Sequence, residues 1–239
     1  MSTGVLILHG SSGTPDVDRA RILRAEGYDV LAPAWAVRAE VPLESFPLDE
    51  LAERNDRLVL MGSSWGAEAA LLLGALDERV DAVVAFAPGA YVWDRVQQDG
   101  GQRSAWTWQG EPLPFVPFDS SWRADEDPPS YTSMYRQSLR TCADVQAARI
   151  PVERIRDVLL IAGGDDKVWP SVDFAEEIVR RRGPLPTRVV TGAAAGHRVV
   201  LPGETPKTAG QTMARGGTDA ADRELGERAW PEILSFLAD

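Results

Sequence analysis

The sequence predicts an α/β fold, a mostly parallel sheet of about six strands with helices on both faces. Three observations predict it. Short apolar runs rich in Val, Leu and Ile alternate with longer segments of helical spacing, the pattern of βαβ units. At 239 residues the chain fits one core. Hydrophobic residues make up 44% and charged residues 26%, without a repeat or low-complexity block, so enough apolar material exists to fill that core. A single domain over residues 1–239 is the expected organisation.

In chain order, the first strand is expected near residues 4–8, where Val5-Leu6-Ile7-Leu8 forms a continuous apolar run. A helix near 15–26 leads to a strand near 28–32. The apolar run Leu58-Val59-Leu60-Met61 places a third strand near 57–61, and the alanine- and leucine-rich stretch after it a helix near 64–76. A strand near 81–86 follows. Beyond a long interruption come a strand near 157–162, a helix near 171–182 and a strand near 187–191. The last helix, near 219–237, carries Leu225, Trp230, Ile233, Leu234 and Leu237 near helical spacing despite Pro231. Arg180, Arg181 and Arg182 read as cations favoured at a helix C-terminus.

Two stretches break the alternation. Residues 88–135 are proline-rich and hold Trp93, Trp106, Trp108 and Trp122, four of the eight tryptophans. This excursion is expected to cross the carboxyl edge of the sheet and to cover the functional site. Residues 199–218, rich in Gly, Thr and Pro, read as a second loop near that site.

Charge narrows the function. Thirty-six Asp and Glu against 25 Lys and Arg leave a formal charge of −11, which argues against nucleic-acid binding and against anionic membrane surfaces. The start of the chain runs into a strand, too short for a signal h-region or a membrane span, so a cytoplasmic location is expected. Cys142, the single cysteine, has no internal disulfide partner, and with two histidines a structural zinc site is not expected.

The chemistry centres on Gly62-Ser63-Ser64-Trp65-Gly66, a G-x-S-x-G between a predicted strand and a predicted helix. A strand-to-helix turn this sharp holds the central serine in a strained conformation, needs glycine on either side, and exposes the hydroxyl at the sheet edge. The following helix N-terminus favours negative charge developing there. Ser64 is therefore the expected nucleophile.

Such a hydroxyl needs a base. His9 ends the first strand before Gly10-Ser11-Ser12-Gly13 and suits a structural or oxyanion-loop role, which leaves His197, in the small-residue loop Gly192-Ala193-Ala194-Ala195-Gly196-His197. Two aspartates compete to orient that histidine. Asp166, three residues after Gly163 and four before Pro170, is preferred, and Asp165 is read as ordering the turn. The chain order serine, aspartate, histidine is that of the α/β-hydrolase fold. The backbone N–H of Trp65 is the expected first donor of an oxyanion hole and that of Ser11 the second.

These residues resemble a specific family. Val41-Pro42-Leu43-Glu44-Ser45-Phe46, the elbow through Ala67-Glu68-Ala69-Ala70-Leu71, and Ile150-Pro151-Val152-Glu153-Arg154-Ile155 leading to Gly164-Asp165-Asp166-Lys167-Val168-Trp169-Pro170-Ser171 resemble the catalytic C-terminal domain of acyl-CoA thioesterases and bile acid-CoA:amino acid N-acyltransferases. The likeness is greatest to free-standing bacterial members. Ser104-Ala105-Trp106-Thr107, Gly196-His197, Gly216-Gly217 and Ala229-Trp230-Pro231-Glu232 extend it over nearly the whole chain. The resemblance implies a triad on Ser64, Asp166 and His197, and relatives that cleave or transfer acyl groups held as thioesters.

Two departures qualify it. Larger relatives carry an N-terminal β-rich domain, whereas here the sheet is expected to begin at residue 4. Members specialised for amino-acid conjugation carry cysteine at the nucleophile, and serine here favours water as acyl acceptor.

The resulting expectation is a serine hydrolase of acyl thioesters, acting on a small molecule without metal or organic cofactor. A carboxylesterase or lactone hydrolase on small neutral esters is the alternative, because coenzyme A phosphates meet an unfavourable field from a protein at −11. A non-catalytic ligand-binding protein on the same fold is a third reading. Trp93, Trp106 and Trp108 are candidates for an acyl pocket, though aromatics covering a sheet edge account for them equally well. Arg198, with Lys207 and Arg215 nearby, is a candidate for offsetting substrate charge.

Overall fold

The computed structural model describes residues 2–95, 100–207 and 210–239. Residues 96–99 of the first excursion and 208–209 of the second loop lie outside it. All six predicted strands form one parallel sheet. In chain order these are β1 (Thr3–Leu8), β2 (Asp29–Leu31), β4 (Arg57–Ser63), β5 (Ala82–Phe86), β8 (Asp157–Gly163) and β9 (Thr187–Gly192), arranged β2-β1-β4-β5-β8-β9. The order reverses between β1 and β4, which pair over Thr3–Leu8 against Arg57–Gly62. Sites of open α/β sheets form beyond the carboxyl ends of strands at such a reversal.

The period-2 alternation of these strands divides the core. Leu6, Leu8, Leu58 and Leu60 pack on the face covered by α3 (Trp65–Leu76) and α5 (Ser171–Arg182). Val5, Ile7, Val59 and Met61 pack on the opposite face, under α1 (Val17–Ala25) and α6 (Asp219–Ala238). Helix α3 is buried from Trp65 to Ala75, which explains a sequence that is apolar except for Glu68. Thr218 caps α6, its hydroxyl accepting from the Ala221 N–H at 3.2 Å, and the helix runs through Pro231.

Two helices and three short strands lie outside the predicted alternation. Helix α2 (Leu48–Ala52) precedes β4, and α4 (Thr132–Thr141) begins at the end of the proline-rich excursion. A second sheet joins β3 (Val41–Pro42) in parallel to β6 (Trp106–Trp108), and β6 pairs antiparallel with β7 (Glu111–Pro112). This small sheet carries Trp106 into the α3 face of the core. No helix among the described residues is long and apolar enough to cross a membrane.

Candidate active site

Ser64 stands between β4 and α3 with φ 57° and ψ −119°, a left-handed conformation that a non-glycine residue adopts at a cost. Its neighbours make the turn sterically possible. A Cβ on Gly62 would stand 2.0 Å from the Gly66 carbonyl oxygen, and one on Gly66 would stand 2.0 Å from the Leu8 carbonyl oxygen. The Ser64 N–H donates to Phe86 O on β5 at 2.9 Å, which fixes the elbow to the sheet.

His197 follows β9 in the loop anticipated for it. Its Nδ1–H donates to Asp166 Oδ2 at 2.7 Å, which leaves Nε2 as the acceptor. Asp166 is itself held from several sides. Oδ1 accepts from the amides of Val168 (2.8 Å) and Trp169 (3.2 Å), and Oδ2 also accepts from the Ser171 hydroxyl. Asp165 faces elsewhere: Oδ2 accepts from the Gly217 N–H at 2.8 Å and Oδ1 pairs with Lys167 at 3.1 Å. The Gly217 hydrogen bond and Lys167 hold its carboxyl below the usual range.

The histidine loop is anchored from two directions. Arg215 O accepts from the His197 N–H at 3.0 Å, and Asp222 Oδ1 on α6 accepts from the Gly196 N–H at 2.7 Å. Burial raises the Asp222 carboxyl above its ordinary value. Sequence reasoning missed Asp222, because an acidic residue in the first turn of a helix ordinarily reads as a response to the helix dipole.

His9 is structural. Its Nδ1–H donates to Gly10 O at 2.8 Å while Nε2 accepts from the Trp35 N–H at 3.2 Å, and the ring stacks on Trp35 at 4.8 Å. Burial lowers its pKa, in keeping with a neutral ring donating at one nitrogen and accepting at the other. It thereby shapes the Gly10–Ser11 loop beside Ser64, where a Cβ on Gly10 would stand 3.3 Å from the Ser64 Cβ. Among the described residues, neither the Ser11 nor the Trp65 amide is taken up by another backbone or side-chain acceptor.

Ser64 and His197 line one cavity of about 370 Å³, together with Ser11, Phe86, Arg198 and Arg215. The tryptophans do not. Trp93 and Trp106 are fully buried, donating to Glu68 Oε1 through the Trp93 N–H (3.0 Å) and the Trp106 Nε1–H (2.8 Å), and Trp108 packs against the same core. The acyl-pocket expectation for Trp93 and Trp106 is therefore replaced by a packing role, since their faces are occupied by Trp35, Trp65, Phe118 and Tyr135, and Trp108 lines no part of this cavity. The end of the first excursion reaches the acid loop, where the Tyr131 N–H and Ser130 hydroxyl donate to Lys167 O. Among the described residues no cluster of His, Cys, Asp and Glu could hold a metal ion.

Residues 49–239 match the family described as BAAT / Acyl-CoA thioester hydrolase C terminal. Among solved structures, a dienelactone hydrolase-like promiscuous phosphotriesterase from metagenomic libraries aligns at TM-score 0.52 and 15% identity, over 99% of this chain and 85% of that one. A pyrethroid hydrolase from Sphingobium faniae JZ-2 aligns at 0.51 and 15%, over 100% and 98%. A structure from work on the metagenome-derived lipolytic enzymes LipS and LipT aligns at 0.54 and 15%, over 99% and 93%. A search of curated proteins finds no match. At these identities the structural likeness establishes the α/β-hydrolase fold.

Proposed function

The chain belongs to the BAAT / acyl-CoA thioester hydrolase C-terminal family, and from that premise we propose that it is a serine hydrolase of acyl thioesters working through Ser64, His197 and Asp166. The observation that carries this reading is the meeting of two features on one cavity: a strained serine at the strand-to-helix elbow, and a histidine whose Nδ1–H is bound by a buried carboxylate. Ser64 Oγ attacks the acyl carbonyl as His197 Nε2 takes its proton. The developing oxyanion is met by the backbone N–H groups of Trp65 and Ser11, each worth about 3 kcal/mol in the transition state. His197 returns the proton to the departing thiol, and a water activated by the same imidazole hydrolyses the acyl-enzyme. Asp166 fixes the tautomer and stabilises the imidazolium.

A carboxylesterase or lactone hydrolase is the second reading, favoured by the net charge of −11, which opposes approach of a polyanionic thiol carrier. The mechanism is shared, with an alcohol in place of the thiol. The whole chain, residues 1–239, is read as one catalytic unit.

The deciding experiment treats wild type and Ser64→Ala with a fluorophosphonate probe, then assays both against p-nitrophenyl esters and acyl-CoA thioesters of matched chain length. Labelling and turnover confined to the wild type are expected, and the faster panel chooses between the two readings. Absence of both would overturn the hydrolase assignment in favour of a non-catalytic ligand-binding protein.

A further inference from the structure

One short segment, Arg215-Gly216-Gly217, bridges the loops that carry Asp166 and His197. The Arg215 main-chain oxygen accepts from the His197 N–H at 3.0 Å and from the Lys167 N–H at 3.3 Å, while the Gly217 N–H donates to Asp165 Oδ2 at 2.8 Å. Both glycines have left-handed backbones, φ 67° and 68°. A Cβ on Gly216 would collide with the Asp165 carbonyl oxygen, and one on Gly217 with the Gly196 nitrogen. The segment then enters α6, whose fourth residue is Asp222.

Asp222 holds the histidine segment on both sides of His197. Oδ1 accepts from the Gly196 N–H at 2.7 Å, one residue before the base, and the main-chain oxygen accepts from the Val200 N–H at 3.3 Å, three residues after it. The side chain is buried, and its position in the first turn of α6 places a carboxylate at the favourable end of the helix dipole. Burial raises its pKa, Asp219 and Asp166 add to the rise, and a positive charge on His197 opposes it. That last interaction is mutual: the Asp222 carboxylate favours a charged imidazole as much as the charged imidazole favours the carboxylate. Asp166, in contact with His197, acts in the same sense. Arg198 and Arg215, which line the same cavity, act in the opposite one, and Arg19–Glu204 and Lys207–Asp16 are paired there.

We propose that Asp222 is a positioning residue for the general base, fixing the His197 segment through the Gly196 amide and adding a second negative charge, beyond that of Asp166, that favours the imidazolium formed during acyl transfer. The proposal rests on the hydrolase reading above and assigns that reaction a further residue, which touches neither substrate nor the reacting atoms.

The first test does not depend on turnover. The chain has two histidines, so the His197 ring signal in a proton–carbon NMR spectrum is the one missing from His197→Gln. Asp222→Asn keeps an oxygen for the Gly196 N–H and removes the charge. Its His197 titration midpoint should lie below that of the wild type by about half a pH unit or more. Asp219→Asn, on the same helix but exposed, should leave the midpoint in place, because water and salt screen that carboxylate. A midpoint unchanged in Asp222→Asn, or lowered equally in Asp219→Asn, overturns the proposal.

The second test is kinetic, on 4-nitrophenyl butyrate. In Asp222→Asn the acid limb of kcat/KM should move to lower pH by the same amount as the NMR midpoint. Asp222→Ala, which also removes the anchor, should lose a further tenfold or so in kcat at nearly constant KM, the cost of a displaced base. An acid limb that stays in place, or a wild-type kcat in Asp222→Ala, overturns the positioning role. Where Asp222→Ala does not fold, the acid limb of Asp222→Asn decides. Fluorophosphonate labelling of wild-type Ser64 with an unmoved midpoint means that the role of Asp222 fails while the hydrolase stands. Absence of labelling means that the hydrolase reading fails, and the NMR titration still decides whether Asp222 acts on His197.

Discussion

Glu68 Oε1 accepts a 2.8 Å hydrogen bond from the Trp106 indole N–H inside a core where neither side chain is exposed. This glutamate sits on α3, one turn after Ser64. Burial pushes its carboxyl up from 4.5 to about 8, against the opposing hydrogen bonds from Trp93 and Trp106, so it is a neutral acid at pH 7. The folded chain thus holds a proton there that the unfolded chain releases above pH 4.5. Stability should fall as pH rises from about 4.5 to about 8, by up to about 1.4 kcal/mol per pH unit, and level off beyond. Glu68→Gln keeps the accepting oxygen and removes the titration. Urea midpoints measured from pH 5 to 9 should drop for the wild type and stay flatter for Glu68→Gln; parallel curves would refute a buried neutral carboxyl.

The glycines of the elbow make a second prediction, because the atoms they approach are backbone and have nowhere to move. A Cβ on Gly66 would meet the carbonyl oxygens of Leu8 at 2.0 Å and His9 at 2.6 Å, so accommodating it requires separating α3 from β1. Gly66→Ala should cost about 3 kcal/mol or more, at or above the usual range for overpacking. Gly27, at φ 94° with nothing near its missing Cβ, is the control. There alanine should cost about 1–2 kcal/mol, the strain of the left-handed conformation alone. Chemical denaturation of the two variants separates collision from strain.

The parts of the fold that the sequence discloses are those where burial dictates composition. The six sheet strands and the helices α1, α3, α5 and α6 stand where apolar run and helical spacing place them, most of them because they are pressed against the core, with the edge strand β9, half-buried and with Val189 exposed, as the exception. The small sheet escaped notice for the opposite reason: β6 and β7 are three and two residues long, too short for periodicity. Its signal was in the turn. Gln109 and Gly110 both have positive φ, 53° and 82°, as a tight hairpin turn requires, and Trp106-Thr107-Trp108 alternates before it. The contexts that single out Ser64 and His197 are distinctive, a G-x-S-x-G turn and a small-residue loop after a strand, and the structure brings both residues to one cavity. The tryptophans were ambiguous because an indole is equally suited to a pocket wall and to a core; Glu68 holds Trp106 by its indole N–H and Trp93 by its backbone N–H in the core.

Adjacent aspartates allow a test of the proposed triad in which sequence position is nearly constant. Asp166 binds His197 Nδ1–H, whereas Asp165 orders the loop through Gly217 and Lys167. Asp166→Asn should reduce kcat on p-nitrophenyl esters by about 10⁴-fold, because an amide at this position favours the wrong imidazole tautomer. Asp165→Asn should change kcat by less than about tenfold and act mainly on stability through a lost charge-assisted hydrogen bond. Equal losses in the two variants would argue that the loop, not the tautomer, is what matters.

The buried pair Arg19–Glu204 ties the second loop to α1 and to the elbow. Arg19 Nε and Nη2 reach the two Glu204 oxygens at 2.6 and 3.1 Å, Nη1 donates to Ser63 Oγ at 2.9 Å, and the guanidinium lies 4.0 Å over the Phe86 ring. Glu204 Oε2 also accepts from the Leu201 N–H at 2.9 Å, so the carboxylate closes its own loop while the guanidinium reaches on to the elbow. Removing one partner leaves the other charged, buried and uncompensated. Arg19→Met and Glu204→Leu should each lose about 3–5 kcal/mol. The double variant Arg19→Met/Glu204→Leu should lose far less than the two combined, since no orphaned charge remains. A double-mutant cycle by urea denaturation reads this coupling, and additive losses would show that water already reaches the pair. Because Ser63 precedes the proposed nucleophile, the cycle should be repeated on ester turnover. Coupling in stability without coupling in turnover would mean that the pair secures the loop while the elbow, braced by Gly62 and Gly66, keeps its own geometry.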